Sequence, residues 1–140
     1  MPELKKSGAR VSIRQVIEDG DHVALHSNYN FFGEKVGFDV FRFENGKVVE
    51  HWDNLQQRPA TTVSGRTMTD GPTEIKDLDK TQANKQFVQN FVQDVLRDGK
   101  VDKIAQYISS ETYHQHNPGI GDGLDGLGKA LESMAKKGLP

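Results

Sequence analysis

The stretch FDVFRFENGKVVEHWDNLQ (38–56) decides the fold of this chain. Apolar and aromatic residues alternate with polar ones on both sides of Asn45-Gly46, and this dipeptide is the strongest short signal for a β-hairpin. Two more β-rich stretches, 11–17 and 22–32, precede it and are separated by the turn residues EDGD. This part of the sequence therefore predicts a meander of three or four antiparallel strands.

Helical patterns follow in the second part of the chain. Three stretches carry apolar residues at helical spacing: 81–99, 101–108 and 127–137. Thr81 is the predicted N-cap of the first, and the third has an inward apolar face, formed by Leu127, Leu131 and Met134. The connector 58–80 is rich in Pro, Thr, Ser and Gly, with one short strand expected around Thr67. Because a meander needs cover on one face, the predicted fold is α+β, a curved antiparallel sheet packed on two or three helices.

Composition excludes several functional classes. The chain has 140 residues, 34% of them hydrophobic, which suits a single domain over 1–140. It has no Cys, which excludes disulfides, thiolate metal sites and Cys nucleophiles. Its net charge is −2, and basic residues cluster only at Lys5-Lys6 and Lys136-Lys137, so nucleic acid is not an expected partner. With no membrane-length apolar run and no signal-like N-terminus, we expect a cytoplasmic protein that does not bind membranes.

The first candidate site lies in the return strand of the hairpin. His51 and Asp53 are two residues apart and so point to one face. With a two-residue turn at Asn45-Gly46, the ideal pairing sets Val40 against His51 and places Phe38 and Arg42 on the same face. A carboxylate and an imidazole beside apolar neighbours suit acid–base catalysis. The alternative is that this face is solvent, because the other face, with Phe41, Phe43, Val48 and Trp52, has the composition of a core.

Asp39 conflicts with the ideal pairing. It falls on the aromatic face, where an unpaired carboxylate would be costly to bury. Either Asp39 reaches an edge of the sheet, or a β-bulge moves it to the other face, and bulges are frequent next to active sites.

The second candidate site is YHQHNP (113–118). His114 and His116 have the spacing of a metal pair, but no third ligand follows at a recognisable distance, so we predict no metal. His116 and Asn117 instead suit a pocket rim. The next residues, GIGDGLDG (119–126), are interpreted as a turn, because no strand or P-loop Lys accompanies them.

These stretches resemble one known family. The segments 16–27 and 38–56 resemble the C-terminal half of SnoaL-like proteins of the NTF2-like superfamily, and 84–127 resembles the N-terminal half. The QHNP stretch is most similar to the branch described as SnoaL-like aldol condensation-catalyzing enzymes. The halves stand in reversed order here, which a circular permutant, a piece of a tandem pair or an exchange of halves between two chains would each explain.

The resemblance implies a cone-shaped NTF2-like fold with a pocket between sheet and helices. The chain divides accordingly into a hairpin half at 1–57, the connector and a helical half at 81–140. Asp53 matches the family's pocket acid/base, and Asp39 matches a position that faces the pocket, which favours the bulged pairing. The expected substrate contacts are His26, Phe38, Arg42, Trp52, Tyr113, His116 and Asn117.

The expected function is that of a cofactor-independent enzyme acting on a small apolar carbonyl compound by aldol, cyclase, isomerase or dehydratase chemistry. Asp53 is the expected general acid/base, with His51 and Asp39 as catalytic partners. The alternative is a non-catalytic ligand-binding or dimerisation module. The expected partners are a small hydrophobic molecule and a second copy of the chain in a homodimer, with or without swapped halves.

Overall fold

The computed structural model describes residues 9–30 and 32–136, and it has an α+β architecture. Four strands form one antiparallel sheet in the order β1-β2-β3-β4. The strands are β1 Arg10–Asp19, β2 His22–Asn30, β3 Glu34–Glu44 and β4 Lys47–Gln57. The predicted meander is therefore confirmed, although Phe31, assigned to the second strand from the sequence, lies outside the described residues.

The hairpin turn between β3 and β4 follows its sequence signal. Asn45 and Gly46 both have positive φ, at 52° and 76°. This is the conformation of a type I′ turn, whose twist matches that of the flanking strands.

The pairing of β3 with β4 departs from the ideal register. A β-bulge close to the turn shifts the pairing by one residue, so that Asp39 lies opposite Asp53 and Val40 opposite Trp52. The ideal pairing, which set Val40 against His51, is therefore wrong, and the bulge is confirmed. The extra residue is Val49 of β4, so the bulge does not move Asp39, which stays buried on the same face as Phe41; it brings His51 and Asp53 to this face and turns Trp52 to the other.

The chain forms two compact units. The sheet unit comprises the described residues of Met1–Ala60 together with Met68–Ile75, and the helical unit comprises Thr61–Thr67 and the described residues from Lys76 onward. The predicted connector is thus divided between the units. The strand expected around Thr67 is wrong, since side-chain hydrogen bonds hold this region instead of a backbone ladder. Thr69 donates to Asn28 Oδ1 at 3.0 Å, and Arg14 donates to the Thr69 carbonyl at 3.4 Å.

The helical unit begins with a 3₁₀ turn and a helix, α1, which continues into wider π-type turns. These segments are Leu78–Lys80, Thr81–Phe91 and Val92–Arg97. Thr81 is the first residue of α1, after the N-cap Lys80, and its hydroxyl donates back to the Leu78 carbonyl at 3.2 Å. The predicted N-cap is therefore wrong by one residue. The helical stretch ends before Gly99, whose φ of 69° suits a glycine stop.

Two shorter helical segments and a long helix complete this unit. They are a 3₁₀ turn at Val101–Lys103, α2 at Ile104–Tyr107 and α3 at Gly123–Lys136. The core consists of Val95, Ile104 and Leu127. Helix α3 begins four residues before the predicted start, so part of the glycine-rich stretch is helical. Met134 is exposed, so its expected inward position is wrong. Lys137, the predicted last residue of the helix, lies outside the described range.

Within the described residues, none of the helices combines the length and the apolar character that crossing a membrane requires.

Candidate functional site

The β-bulge brings the three expected catalytic residues onto one face of the sheet. Asp39 lies opposite Asp53, and Phe41 lies opposite His51 two pairs further along. Paired residues point to the same face, as do residues two apart in one strand. Ligand atoms of Asp39, His51 and Asp53 all lie within 4.8 Å of one another. These three residues are called the carboxylate–histidine cluster.

Asp39 is the buried member of the cluster. It is only 8% exposed, and its two oxygens accept hydrogen bonds from two side chains. The Tyr29 hydroxyl donates to Oδ2, and Oδ1 lies 2.8 Å from His51 Nε2. Because an ionised carboxylate can only accept, His51 donates to it from Nε2. The other ring nitrogen, Nδ1, is therefore the one left for a ligand.

Tyr29 joins the cluster from β2, across a glycine in β3. A Cβ atom at Gly37 would lie 3.0 Å from Cε2 of the Tyr29 ring and would collide with the Leu55 side chain. Glycine therefore leaves the space through which Tyr29 reaches Asp39. Burial, together with the hydrogen bond and the charge of Asp39, raises the pKa of Tyr29 to about 12, so its hydroxyl stays protonated and donates.

Sequence reasoning missed Tyr29. The one signal that could have indicated it is Gly37, because glycine inside a strand often marks the close approach of another group.

His51 and Asp53 are the accessible members of the cluster. The His51 ring stacks on Phe41 with centroids 4.6 Å apart and planes 14° from parallel. Its side chain is 41% exposed, so one side of the ring is held while the rest can meet a ligand. Asp53 is exposed and has no hydrogen-bond or ion-pair partner among the residues that the structure describes.

Several expected substrate contacts lie on the opposite face of the sheet. Phe38 lies opposite Asn54, Val40 opposite Trp52, and Arg42 opposite Glu50. The expectation that Phe38 and Arg42 share a face with His51 and Asp53 is therefore wrong, and so is the grouping of Trp52 with Phe41. A shift of one residue turns every side chain of a strand to the other face.

The opposite face has its own contacts. His26 stacks on Phe38, with ring centroids 4.1 Å apart. Arg42 donates to Glu44 and to Glu50, both at 2.7 Å, and these bonds raise its pKa above the ordinary value. Its guanidinium is thus already engaged by two carboxylates.

The expected rim residues Tyr113, His116 and Asn117 belong to the helical unit. His116 Nδ1 lies 3.0 Å from the Thr67 carbonyl oxygen, and Asn117 Oδ1 accepts the Gly119 N–H at 2.9 Å. Both side chains thus contribute to the loop itself. Their contact with a ligand remains a prediction.

Asp122 holds this loop together. Its carboxylate accepts from Arg66 at 2.9 and 3.1 Å and from the Gln115 N–H at 2.8 Å. The Arg66 hydrogen bond, followed by that of the Gln115 N–H, holds the pKa of Asp122 below its usual value. The Ser64 hydroxyl also donates to the Gln115 carbonyl at 3.0 Å. The segment 61–67 therefore fixes the shape of the QHNP stretch.

The carboxylate–histidine cluster could also hold a metal ion. One imidazole nitrogen and two carboxylate oxygens suit a divalent transition metal. Tyr29 would then orient Asp39 from behind, as outer-shell partners of metal ligands do. Sequence reasoning looked for a metal only at 113–118 and did not identify this set.

Comparison with known proteins found no matching family model and no matching curated protein.

Proposed function

We propose that the protein is a cofactor-independent enzyme that moves protons on a small apolar carbonyl compound. The observation that carries this proposal is the buried Asp39 carboxylate, held between Tyr29 and His51. It engages one imidazole nitrogen and leaves the other for a ligand, while the Asp53 carboxylate lies within 4.8 Å of the same group of atoms. A positioned acid and base side by side are what proton transfer next to a carbonyl requires.

His51 supplies the positive charge of the site. A buried carboxylate needs a countercharge, and among the described residues Asp39 has no Lys or Arg partner. A protonated His51 meets this need through Nε2–H and presents a second donor, Nδ1–H. This donor suits the oxygen of a carbonyl, where negative charge develops during reaction.

Asp53 takes the proton. Its carboxylate removes a proton from the carbon next to the carbonyl, and the C–H electron pair becomes that of an enolate. His51 Nδ1–H stabilises the enolate oxygen. Return of the proton from Asp53 to another carbon gives isomerisation. Attack of the enolate carbon on a second carbonyl instead forms a C–C bond and an alkoxide, which takes the proton back from Asp53 to give the aldol product.

The proposal includes the fold type and the oligomeric state of the protein. We infer that the fold is of the NTF2-like type and that the active form is a homodimer. Two observations support this: the family resemblance of both halves, and apolar side chains of β1 exposed to solvent, namely Val11, Ile13 and Val16. A cover over this face would exclude water from the cluster.

A second candidate is a non-catalytic binding module. The exposure of His51 and Asp53 favours it, because proton transfer is most effective where water is excluded. Such a module would bind a carbonyl compound through the same donors without turning it over.

The test is exchange of α-protons of cyclohexanone into D₂O, followed by ¹H NMR. Wild type is compared with His51→Gln and Asp53→Asn, and we expect each substitution to lower the protein-catalysed rate about 100-fold or more. His22→Gln is a matched control, because His22 also lies on a strand and pairs with a carboxylate, Asp21, at 2.7 Å, but at the exposed end of β2. This variant should exchange like wild type.

Three outcomes would decide against the proposal. Exchange no faster than in buffer, with cyclohexanone still bound, would favour the binding module. Full activity of His51→Gln and Asp53→Asn would remove the cluster from the mechanism. Activity lost with EDTA and restored by Zn²⁺ would show that the cluster works with a metal.

A further inference from the structure

Four strand termini meet at one end of the sheet. Strand β1 begins at Arg10, β2 ends at Asn30 and β3 begins at Glu34. Strand β4 ends just before Arg58, whose backbone N–H donates to the Glu34 carbonyl at 2.9 Å. A cleft of about 270 Å³ opens here. Besides Arg10, Asn30, Glu34 and Arg58, it is lined by Val11, Ser12, Asn28 and Tyr29.

We propose that this cleft binds a small organic oxyanion, a carboxylate or a phosphate, between the guanidinium groups of Arg10 and Arg58. The chain has six arginines, and four of them donate to a partner in the structure. These four are Arg14, Arg42, Arg66 and Arg97. Arg10 and Arg58 have no hydrogen-bond or ion-pair partner among the described residues, and both line the same cleft.

The chemistry of the lining suits an oxyanion. A guanidinium presents a planar fork of N–H donors that matches the two oxygens of a carboxylate or phosphate. Asn28 uses Oδ1 to accept from Thr69, which leaves its Nδ2 donors for a ligand. Ser12 and Asn30 add a hydroxyl and an amide. The cleft thus offers two permanent positive charges and several neutral hydrogen-bond donors to one small anion.

Glu34 limits which anions fit. It is the single carboxylate in the lining, so the two arginines leave a net charge of +1. A ligand with one or two negative charges is therefore favoured over one that carries many. Removal of the Glu34 carboxylate should therefore strengthen anion binding. No such strengthening is expected if Arg10 and Arg58 do not hold an anion.

This site goes beyond the proposed function and does not depend on it. Its charged residues take no part in the carboxylate–histidine cluster, and only Tyr29 is common to both regions. The test leaves Tyr29 unchanged, so failure of one proposal does not entail failure of the other.

The experiment titrates inorganic phosphate and succinate, separately, into the full chain and follows backbone amide shifts by NMR at constant ionic strength. We expect saturable shifts confined to the four strand termini. Arg10→Gln and Arg58→Gln should each weaken binding about tenfold, since each removes a charge-assisted contact. Glu34→Gln should tighten binding several-fold. Arg97→Gln, which removes the same charge from a helix of the other unit, should have no effect.

Response to one probe alone would assign the ligand class: phosphate alone indicates a phosphorylated ligand, and succinate alone a carboxylate. The proposal is overturned if neither probe saturates, or if the double variant Arg10→Gln/Arg58→Gln binds them as tightly as wild type does. The amide spectrum of each variant verifies that it folds as wild type does.

Discussion

Two tyrosine–aspartate hydrogen bonds, one in each unit, have different surroundings. In the helical unit, Tyr107 donates to Asp94 at 2.6 Å, and Lys100 and Lys103 lie 3.5 and 3.6 Å from the same carboxylate. The Tyr107 hydrogen bond and the two lysines hold the pKa of Asp94 below its usual value. This aspartate is neutralised by permanent cations, so its role is structural.

In the sheet unit, Tyr29 donates to Asp39, and the second partner is His51. Asp39 is buried and has no Lys or Arg partner in the described part of the chain. The partner that can carry its countercharge is therefore an imidazole and not a permanent cation. The same hydrogen bond thus holds an aspartate beside lysines in one unit and beside a histidine in the other, and only the second arrangement fits the proposed proton transfer.

The two units also bury different kinds of side chain. The helical core is apolar, with Val95 only 1% exposed beside Ile104 and Leu127. The sheet unit buries the apolar Val36 and Met68 as well, but it also buries three polar side chains, those of Ser27, Asp39 and Thr69. Apolar burial stabilises a fold, whereas buried polar groups cost free energy and are retained mainly where they serve a site.

The largest expected effect on stability is in the helical core. Leu127→Ala removes a buried side chain between Val95 and Ile104 and should lower the free energy of unfolding by about 2–5 kcal/mol. Ser27→Ala, an equally buried site in the sheet, removes only a hydroxyl and should change it by less than about 1 kcal/mol. Urea unfolding followed by circular dichroism measures both. Equal losses would contradict the contrast between the two cores.

The next effect separates the two aspartates by activity. Asp39→Asn keeps the shape of the side chain but removes the charge that holds His51, so exchange of cyclohexanone α-protons should fall about 100-fold. Asp94→Asn removes the same charge beside Tyr107 and should leave exchange unchanged. Equal loss of exchange activity in the two variants would show that the side chains around each aspartate do not decide its role.

The sequence predicted those parts of the site that depend on local chemistry. Asn45-Gly46 encodes the hairpin turn, and the unpaired carboxylate of Asp39 in the ideal register indicated an irregular pairing as one of two alternatives, which the structure confirms as a β-bulge. The partner of Asp39 could not be predicted, because Tyr29 reaches it only by passing over Gly37 of a different strand. That geometry depends on register, and register is decided by the whole sheet.

In the helical unit, too, the sequence predicted the local elements but not the contacts between distant residues. The periodicity of apolar residues located the three helical stretches, but it did not indicate that Asn117, expected to contact a ligand, also accepts the Gly119 N–H of its own turn. Asn side chains commonly bond to backbone two residues on, and nothing in the sequence separates that use from a ligand contact. The residues that tie the connector to this loop, such as Arg66 and Asp122, are 56 positions apart, beyond the reach of local patterns.

The smallest expected effect concerns the proton of Tyr29. Its pKa is raised from the ordinary 10 to about 12 in the folded chain, so its stabilising contribution is complete below pH 10 and is lost as the pH rises from 10 to 12. Over that range, wild type should lose on the order of 1 kcal/mol more unfolding free energy than Tyr29→Phe, a value reduced because the ring is only partly buried. Urea unfolding at several alkaline pH values gives the difference. Lysines also deprotonate in this range, but they do so in both proteins and cancel in the comparison. A Tyr29→Phe chain with the same alkaline loss as wild type would mean that Asp39 does not hold the tyrosine proton, and the distinction between the two aspartates would then depend on His51 alone.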